Sequence, residues 1–183
     1  MSKIYPYPEK LESKRLVTRK LTEHDVDIWS DFFADKDAIQ FFPDHGLTSN
    51  AAQGKFWIDR QLKRYAEDGI GLQALLEKHT HEFIGQCGLL RQIVDGQEEL
   101  EVGYHIFKKY WGRGYAPEAA RLFLDYAFQN DLSDSVISII ATGNVKSQRV
   151  ADKNGLTREK RTNWSGLDVY IYRIRKDVWE KSR

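Results

Sequence analysis

Two glycines, Gly112 and Gly114, sit in the loop KKYWGRGYAPEA from Lys108 to Ala119, between a strand-like run and a helix-like run. Strand, glycine-rich loop and helix together can cradle an anion. Loop and first-turn N–H groups point at it, the helix dipole adds to them, and glycine lets the backbone turn and approach. A dinucleotide loop would need G-x-G-x-x-G, but Pro117 stands at the third glycine position, and the next strand ends at Ala141–Thr142 without an acidic residue. A Walker loop would need G-K-[ST] after its second glycine, which this run lacks. Spacing alone leaves open an anion cradle of another kind or a connector with two turn glycines. Arg113, Lys108 and Lys109 supply local positive charge for the first.

Just upstream, Leu100 to Phe107 alternates. Leu100, Val102, Tyr104 and Ile106 share one face, and Glu101, Gly103, His105 and Phe107 share the other. Glu101 lies mid-strand between apolar neighbours, where a carboxylate is costly unless it faces a cleft or solvent. His105, two residues on, is either a second proton acceptor or a hydrogen-bonded wall residue. Downstream, Asn144 reads as an N-cap and Ser147 as a first-turn serine. Phe41 and Phe42, before Pro43, read as core or as pocket wall. His79 and His81 flank a turn without carboxylates at ligand spacing, so no metal site is expected. Cys87, the single cysteine, reads as a small buried hydrophobe and excludes an internal disulfide.

The elements that must hold these groups follow from pattern. Leu16 to Leu21 reads as a strand, and Thr22 as the N-cap of a helix through Trp29, Phe32 and Phe33. A second helix is expected from about Thr48 to Glu67. Strands are expected at Leu72 to Glu77 and Glu82 to Arg91, with a hairpin turn at Asp95–Gly96 before the alternating strand. Ala119, Leu122, Phe123, Tyr126 and Ala127 mark a helix face, with Pro117 in its first turn. Val136 to Ala141 is a buried-type strand, and a short helix runs from Asn144 to a stop at Asn154–Gly155. Two last strands lie near Thr157–Arg161 and Asp168–Arg175. The order predicts an α/β (α+β) domain with a mixed sheet, only partly built from parallel crossovers.

Length fits one domain over residues 1–183, with residues 1–10 as an N-terminal arm. The 28 basic residues against 27 acidic give +1, which argues against a duplex nucleic-acid binder. No stretch approaches a membrane span, and the opening MSKIYPYPEKLESKR has no apolar core of a secretory signal, so a cytoplasmic location is expected.

The chain resembles the GNAT (GCN5-related) N-acetyltransferase superfamily, and within it the RimJ/RimL-like branch. The loop is similar to that family's pyrophosphate loop, [QR]-x-x-G-x-[GA], at Gly112 and Gly114, with Lys109 in place of the usual Gln or Arg, and with the branch-typical continuation from Trp111 to Ala119. Leu11 to Asp25 resembles the opening strand and helix. Glu101 to Ile106 resembles the fourth strand, Asn144 to Gly155 the acyl-CoA helix, and Tyr172 to Ile174 the last strand. The resemblance implies a mixed sheet flanked by helices, with a splayed parallel strand pair holding acetyl-CoA. It implies acetyl transfer to a primary amine, of which a protein N-terminal α-amine is the branch-type case. A small-molecule amine (polyamine, amino acid or antibiotic) and a non-catalytic acyl-CoA-binding module are the alternatives. Glu101 is then the expected base, with His105 the runner-up, and Ser147 the expected donor to the departing thiolate. A backbone N–H near Ile106 or Phe107 is the expected oxyanion donor. Lys109, Trp111, Gly112, Arg113, Gly114, Tyr115 and Ala116, with Asn144 and Arg149, are the expected contacts to acetyl-CoA. Phe41, Phe42 and His105 are the expected acceptor wall. No motif encodes which amine or which oligomeric state.

Overall fold

The computed structural model describes residues 7–183. Its elements are strand β1 (Leu16–Lys20), helices α1 (Val26–Ser30), α2 (Lys36–Ile39) and α3 (Asn50–Glu67), strands β2 (Leu72–Glu77), β3 (Phe83–Val94) and β4 (Gln97–Ile106), helix α4 (Tyr115–Gln129), strand β5 (Ser135–Ala141), helix α5 (Val145–Lys153), strands β6 (Thr157–Trp164) and β7 (Leu167–Arg175), and helix α6 (Lys176–Lys181). The sheet order is β1-β2-β3-β4-β5-β7-β6. Every neighbouring pair is antiparallel except β4 and β5. This is the expected mixed α/β architecture. One apolar cluster packs α4, through Phe123, Leu124, Ala127 and Phe128, on one side of the sheet. A second packs Trp29, Phe32 and Ile58 from the α1–α3 segment on the other. The sheet is therefore covered on both faces near its centre, and β4 looks toward both layers.

The structure corrects one expectation and adds to the reading at two other places. The helix expected from Thr22 through Phe33 is broken. A 3-10 turn at Glu23–Asp25, α1, a second 3-10 turn at Asp31–Ala34 and α2 take its place. Two local effects favour the break. Asp35 starts a new helix, its carboxylate accepting from the Asp37 and Ala38 N–H groups. The tighter 3-10 winding also eclipses i and i+3, and Trp29 stacks on Phe32 at 4.3 Å between ring centroids. Second, Tyr7, within the expected N-terminal arm, is anchored to the domain. Residues 1–6 lie outside the described residues, but Tyr7 is buried in the core. Its hydroxyl donates to the Gly71 carbonyl (2.6 Å) and accepts from the Leu89 N–H (3.2 Å). Third, α6 was not anticipated. Trp179 buries there and its indole N–H donates to Asp125 at 2.6 Å.

The local signals elsewhere hold. Asp95 and Gly96 both take positive φ (49° and 77°), the two-residue hairpin conformation between β3 and β4. Ser49 caps α3 with its side-chain oxygen, and Asn144 caps α5 in the same way. Gly155 follows α5 at φ 81°. Among the described residues no helix is long and apolar enough to cross a membrane.

Candidate active site

β4 and β5 run parallel but share a single register pair, Glu101 with Ile137. Just beyond it the Ser138 hydroxyl donates to the Val102 carbonyl (2.9 Å), and past that point the strands are no longer paired. The sheet forks there. β4 stays bonded to β3 on its other edge down to Ile106 opposite Gly85. In an antiparallel ladder successive residues present their backbone groups to alternate sides. The Phe107 N–H donates to the Ile84 carbonyl at 3.0 Å, so it serves the β3 side. The Ile106 N–H then faces the fork. Of the two expected oxyanion donors, the Phe107 amide is thus engaged elsewhere and the Ile106 amide is available. The Phe107 side chain packs on Trp29, Phe32 and Phe83, away from the cavity wall.

The glycine loop leaves the end of β4. Trp111 turns back and its indole N–H donates to the Ile106 carbonyl at 2.7 Å. Gly112 and Gly114 take φ of 74° and 79°, a conformation that side-chain-bearing residues rarely adopt. A Cβ at Gly112 would meet no atom within 4 Å, so it is the backbone angle rather than crowding that requires glycine there. Arg15, which sequence reasoning did not single out, staples the loop. It donates to Glu118 (2.7 Å) and to the Arg113 carbonyl (2.9 Å), and lies 4.4 Å over the Tyr115 ring. The positive charge expected from Lys108, Lys109 and Arg113 is placed differently. Lys108 pairs with Asp37 at 2.5 Å, and Lys109 and Arg113 lie over the Tyr110 ring outside the cavity wall. The cations that line the cavity on this side come from α5: Lys146, Arg149 and Lys153. Lys146 sits 4.0 Å over the Trp111 ring.

Gly114→Val tests the loop. Its φ alone strains a β-branched residue, and a Cβ there stands 3.5 Å from the Arg15 Nη2 that staples the loop. Affinity for acetyl-CoA is expected to fall at least about tenfold, or about 1.4 kcal/mol. Calorimetric titration of the folded variant checks this, and unchanged affinity would reduce the loop to a connector.

Asn144 Oδ1 accepts from the Ser147 N–H at 3.1 Å, which fixes the first turn of α5 beside the fork. The Tyr104 hydroxyl donates to the Ser147 carbonyl at 3.0 Å, a contact no sequence pattern signalled. Burial raises the Tyr104 hydroxyl pKa, so it stays protonated and a donor. Phe41 reaches the same corner, its ring 3.2 Å from where a Cβ on Gly143 would stand.

Glu101, at the branch of the fork, is 8% exposed. Gln92 donates to its Oε2 at 2.7 Å, and the Ile139 N–H also bonds the carboxylate. Burial raises its pKa above the usual carboxylate range, and those hydrogen bonds with the Arg64 and Arg60 charges only partly offset it. His105 shares this face, as expected, within an aromatic wall. Phe42 lies 4.9 Å and Trp57 5.0 Å from it between ring centroids. Burial pushes the His105 pKa down to about 4. A neutral imidazole of such low basicity is a poor proton acceptor, so Glu101 is the stronger candidate base. One cavity of about 920 Å³ joins the fork, the glycine loop, the start of α5 and this aromatic wall.

Residues 15–157 match the family model described as "Acetyltransferase (GNAT) domain". The chain belongs to the GNAT acetyltransferase family. YkkB of Bacillus subtilis (strain 168), an uncharacterised protein, is 33% identical over 164 residues, covering 89% of this chain and 94% of YkkB. The N-acetyltransferase p20 of Bacillus licheniformis, itself uncharacterised, is 25% identical, covering 92% and 97%. The crystal structure of an acetyltransferase from Agrobacterium tumefaciens str. C58 superposes with a TM-score of 0.75 at 26% identity, covering 93% of this chain and 96% of that one. GNAT enzymes use acetyl-CoA as co-substrate and act on amine acceptors. In this GNAT chain the forked strand pair, the glycine loop and α5 come together in one cavity. Its likeness to the RimJ/RimL-like branch is one of motifs and of fold.

Proposed function

We propose that this GNAT enzyme transfers an acetyl group from acetyl-CoA to a primary amine in the forked cavity, with Glu101 as the base. The observation that carries this reading is the fork itself. It leaves a backbone N–H, a buried carboxylate and a glycine loop facing one space. The residues suit the co-substrate. The gap between β4 and β5 accepts an extended acyl-thioester arm, the positive-φ glycines admit phosphate near the backbone, and Lys146, Arg149 and Lys153 offset its charge. Bound acetyl-CoA supplies the activated acetyl group.

The side chains then divide the work. Glu101 accepts a proton from the acceptor ammonium, with Gln92 and the Ile139 N–H holding the carboxylate in place. The Ile106 N–H offers a hydrogen bond where oxygen charge develops. The Ser147 hydroxyl offers one where sulfur charge develops, and a neutral serine serves there better as a hydrogen-bond donor than as an acid. Tyr104 and Asn144 keep Ser147 in position. His105, Phe41 and Phe42 wall the acceptor space and exclude water. The resemblance to the RimJ/RimL-like branch favours a protein N-terminal α-amine, acting in the cytoplasm. The aromatic wall around His105, on the face of Glu101, favours a small-molecule amine.

Thiol release from acetyl-CoA over a panel of peptides and small amines tests the reaction. Acetyl-CoA at about a hundred times its dissociation constant is expected to stabilise the fold by roughly 2.7 kcal/mol without any acceptor. NAD and ATP at equal concentration are expected to give much smaller melting shifts. A larger shift with NAD would restore the dinucleotide reading. Stabilisation without thiol release for any amine would make the chain an acyl-CoA-binding module.

A further inference from the structure

We propose that the acceptor amine carries a carboxylate, which Arg60 and Arg64 of α3 bind on the wall facing Glu101. The inference rests on the acetyl-transfer reading above and narrows its acceptor to a small apolar amino acid.

Trp57, Arg60, Gln61 and Arg64 stand at i, i+3, i+4 and i+7 of α3, which places them on one helix face, and all four line the cavity. Two of them are committed to the fold. The Trp57 indole N–H donates to Gln86 at 2.9 Å, and Gln61 Oε1 accepts from the Leu72 N–H at 2.9 Å. The two arginines are not. Among the described residues neither has a carboxylate within ion-pair distance, and the buried Nε of Arg64 has no hydrogen-bond partner. Its one bond, to the Arg91 carbonyl, is long at 3.4 Å.

Such an arrangement is unfavourable by itself. Like charges at i and i+4 of a helix repel, and a half-buried guanidinium without a counter-ion loses hydration for nothing. Arg60 repels Arg64, and Glu101 and Asp68 attract it only from a distance. The acids that line the cavity are Asp37 and Glu101. Asp37 is taken by Lys108, and Glu101, held by Gln92 and the Ile139 N–H, acts on the arginines only from beyond ion-pair distance. A ligand carboxylate would supply the close anion that the pair lacks.

That anion is not the phosphate of the co-substrate. The arginines belong to the layer of α1–α3, on the sheet face that carries Glu101 and His105. The glycine loop leads into α4, whose core lies on the other face. The guanidinium fork matches the two oxygens of a carboxylate. An ammonium at Glu101 and a carboxylate at the arginine pair are the two ends of an amino acid. The wall between them, Phe42, Trp57 and the uncharged His105, suits an apolar side chain.

The test compares apolar amino acids with their carboxamides, their decarboxylated amines, their phosphonate analogues and an N-terminal tetrapeptide, by thiol release from acetyl-CoA. The carboxylate forms are expected to have kcat/KM at least about tenfold above every other class, the scale of a charge-assisted hydrogen bond. Arg60→Gln with Arg64→Gln is expected to bring that ratio to within about twofold, since it removes both positive charges and their bidentate forks. Equal or better use of amides, amines, phosphonates or peptide overturns the proposal, as does a preference that survives the double variant. Calorimetric titration of N-acetyl amino acids against their N-acetyl amides, with CoA present, decides the point without catalysis. Tighter binding of the acids that is lost in the variant supports the carboxylate site, and equal binding overturns it. If no amine releases thiol, the acetyl-transfer reading falls while this titration still decides the carboxylate site.

Discussion

Glu101→Gln is expected to lower kcat by roughly 10²–10⁴-fold at neutral pH, the usual size of a general-base contribution. The substitution keeps the shape and an oxygen that can accept from Gln92, which bonds Glu101 Oε2 at 2.7 Å. It removes the charge and one acceptor oxygen, and with them the ability to take a proton. The sign of the pH dependence follows from burial. Glu101 is raised above the ordinary carboxylate range, so the wild-type rate should climb with pH through that elevated value as the base ionises. The variant should lack this limb and regain part of its rate at high pH, where the amine deprotonates unaided. Stability separates a catalytic role from a structural one. A carboxyl whose pKa is raised by folding destabilises the fold when ionised, at pH above its unfolded value. The glutamine variant should therefore melt no lower than wild type at neutral pH. Wild-type turnover by the variant, alongside a dead His105→Ala, would move the base to His105.

Trp29→Ala is expected to destabilise the fold by about 3–5 kcal/mol, the range for truncating a large buried aromatic. Trp29 is 0% exposed and is the hub of the acceptor-side layer. It stacks on Phe32 at 4.3 Å and meets Phe107 edge-on at 5.6 Å and Trp57 at 6.1 Å between centroids. Phe32 and Trp57 in turn line the cavity, so their collapse into the void should raise KM for the amine. Acetyl-CoA affinity should change little, because the glycine loop and α5 rest on the other side of the fork. A chain of this size should lose roughly 2–4 °C of Tm per kcal/mol. Thermal melts and acetyl-CoA titration check both halves. A loss under about 1 kcal/mol would mean the aromatic layer repacks freely. The Trp29 indole N–H has no partner among the described residues, so Trp29→Phe should cost much less than the alanine.

What the amino-acid sequence determined by itself is what short-range physics decides. The Asp95–Gly96 hairpin, the Asn144 cap, the Gly155 stop and the two loop glycines each follow from backbone angles or hydrogen bonds within a few residues. The alternation of β4 likewise placed Glu101 and His105 on one face, because strand period is local. The motif order sufficed for the family, since those same local pieces recur together. The division of the first helix was missed although its signal, a capping Asp35, was present, because apolar spacing alone does not distinguish α from 3-10 winding.

Only tertiary structure decided how the chemistry is assembled. The strand fork exists because β5 pairs with β7 along its length and with β4 at one residue pair. The partners that tune the site are distant in sequence: Tyr104 with Ser147, Trp57 with Gln86, and Arg15 with the loop at Arg113. Lys108 read as part of the local positive charge beside the loop, yet folding brings Asp37 against it. Arg60 and Arg64 belong to no motif in the sequence, yet folding turns their face into the cavity. A residue's charge and shape are set by its type, but its dielectric surroundings and its partner are set by the chain that packs against it.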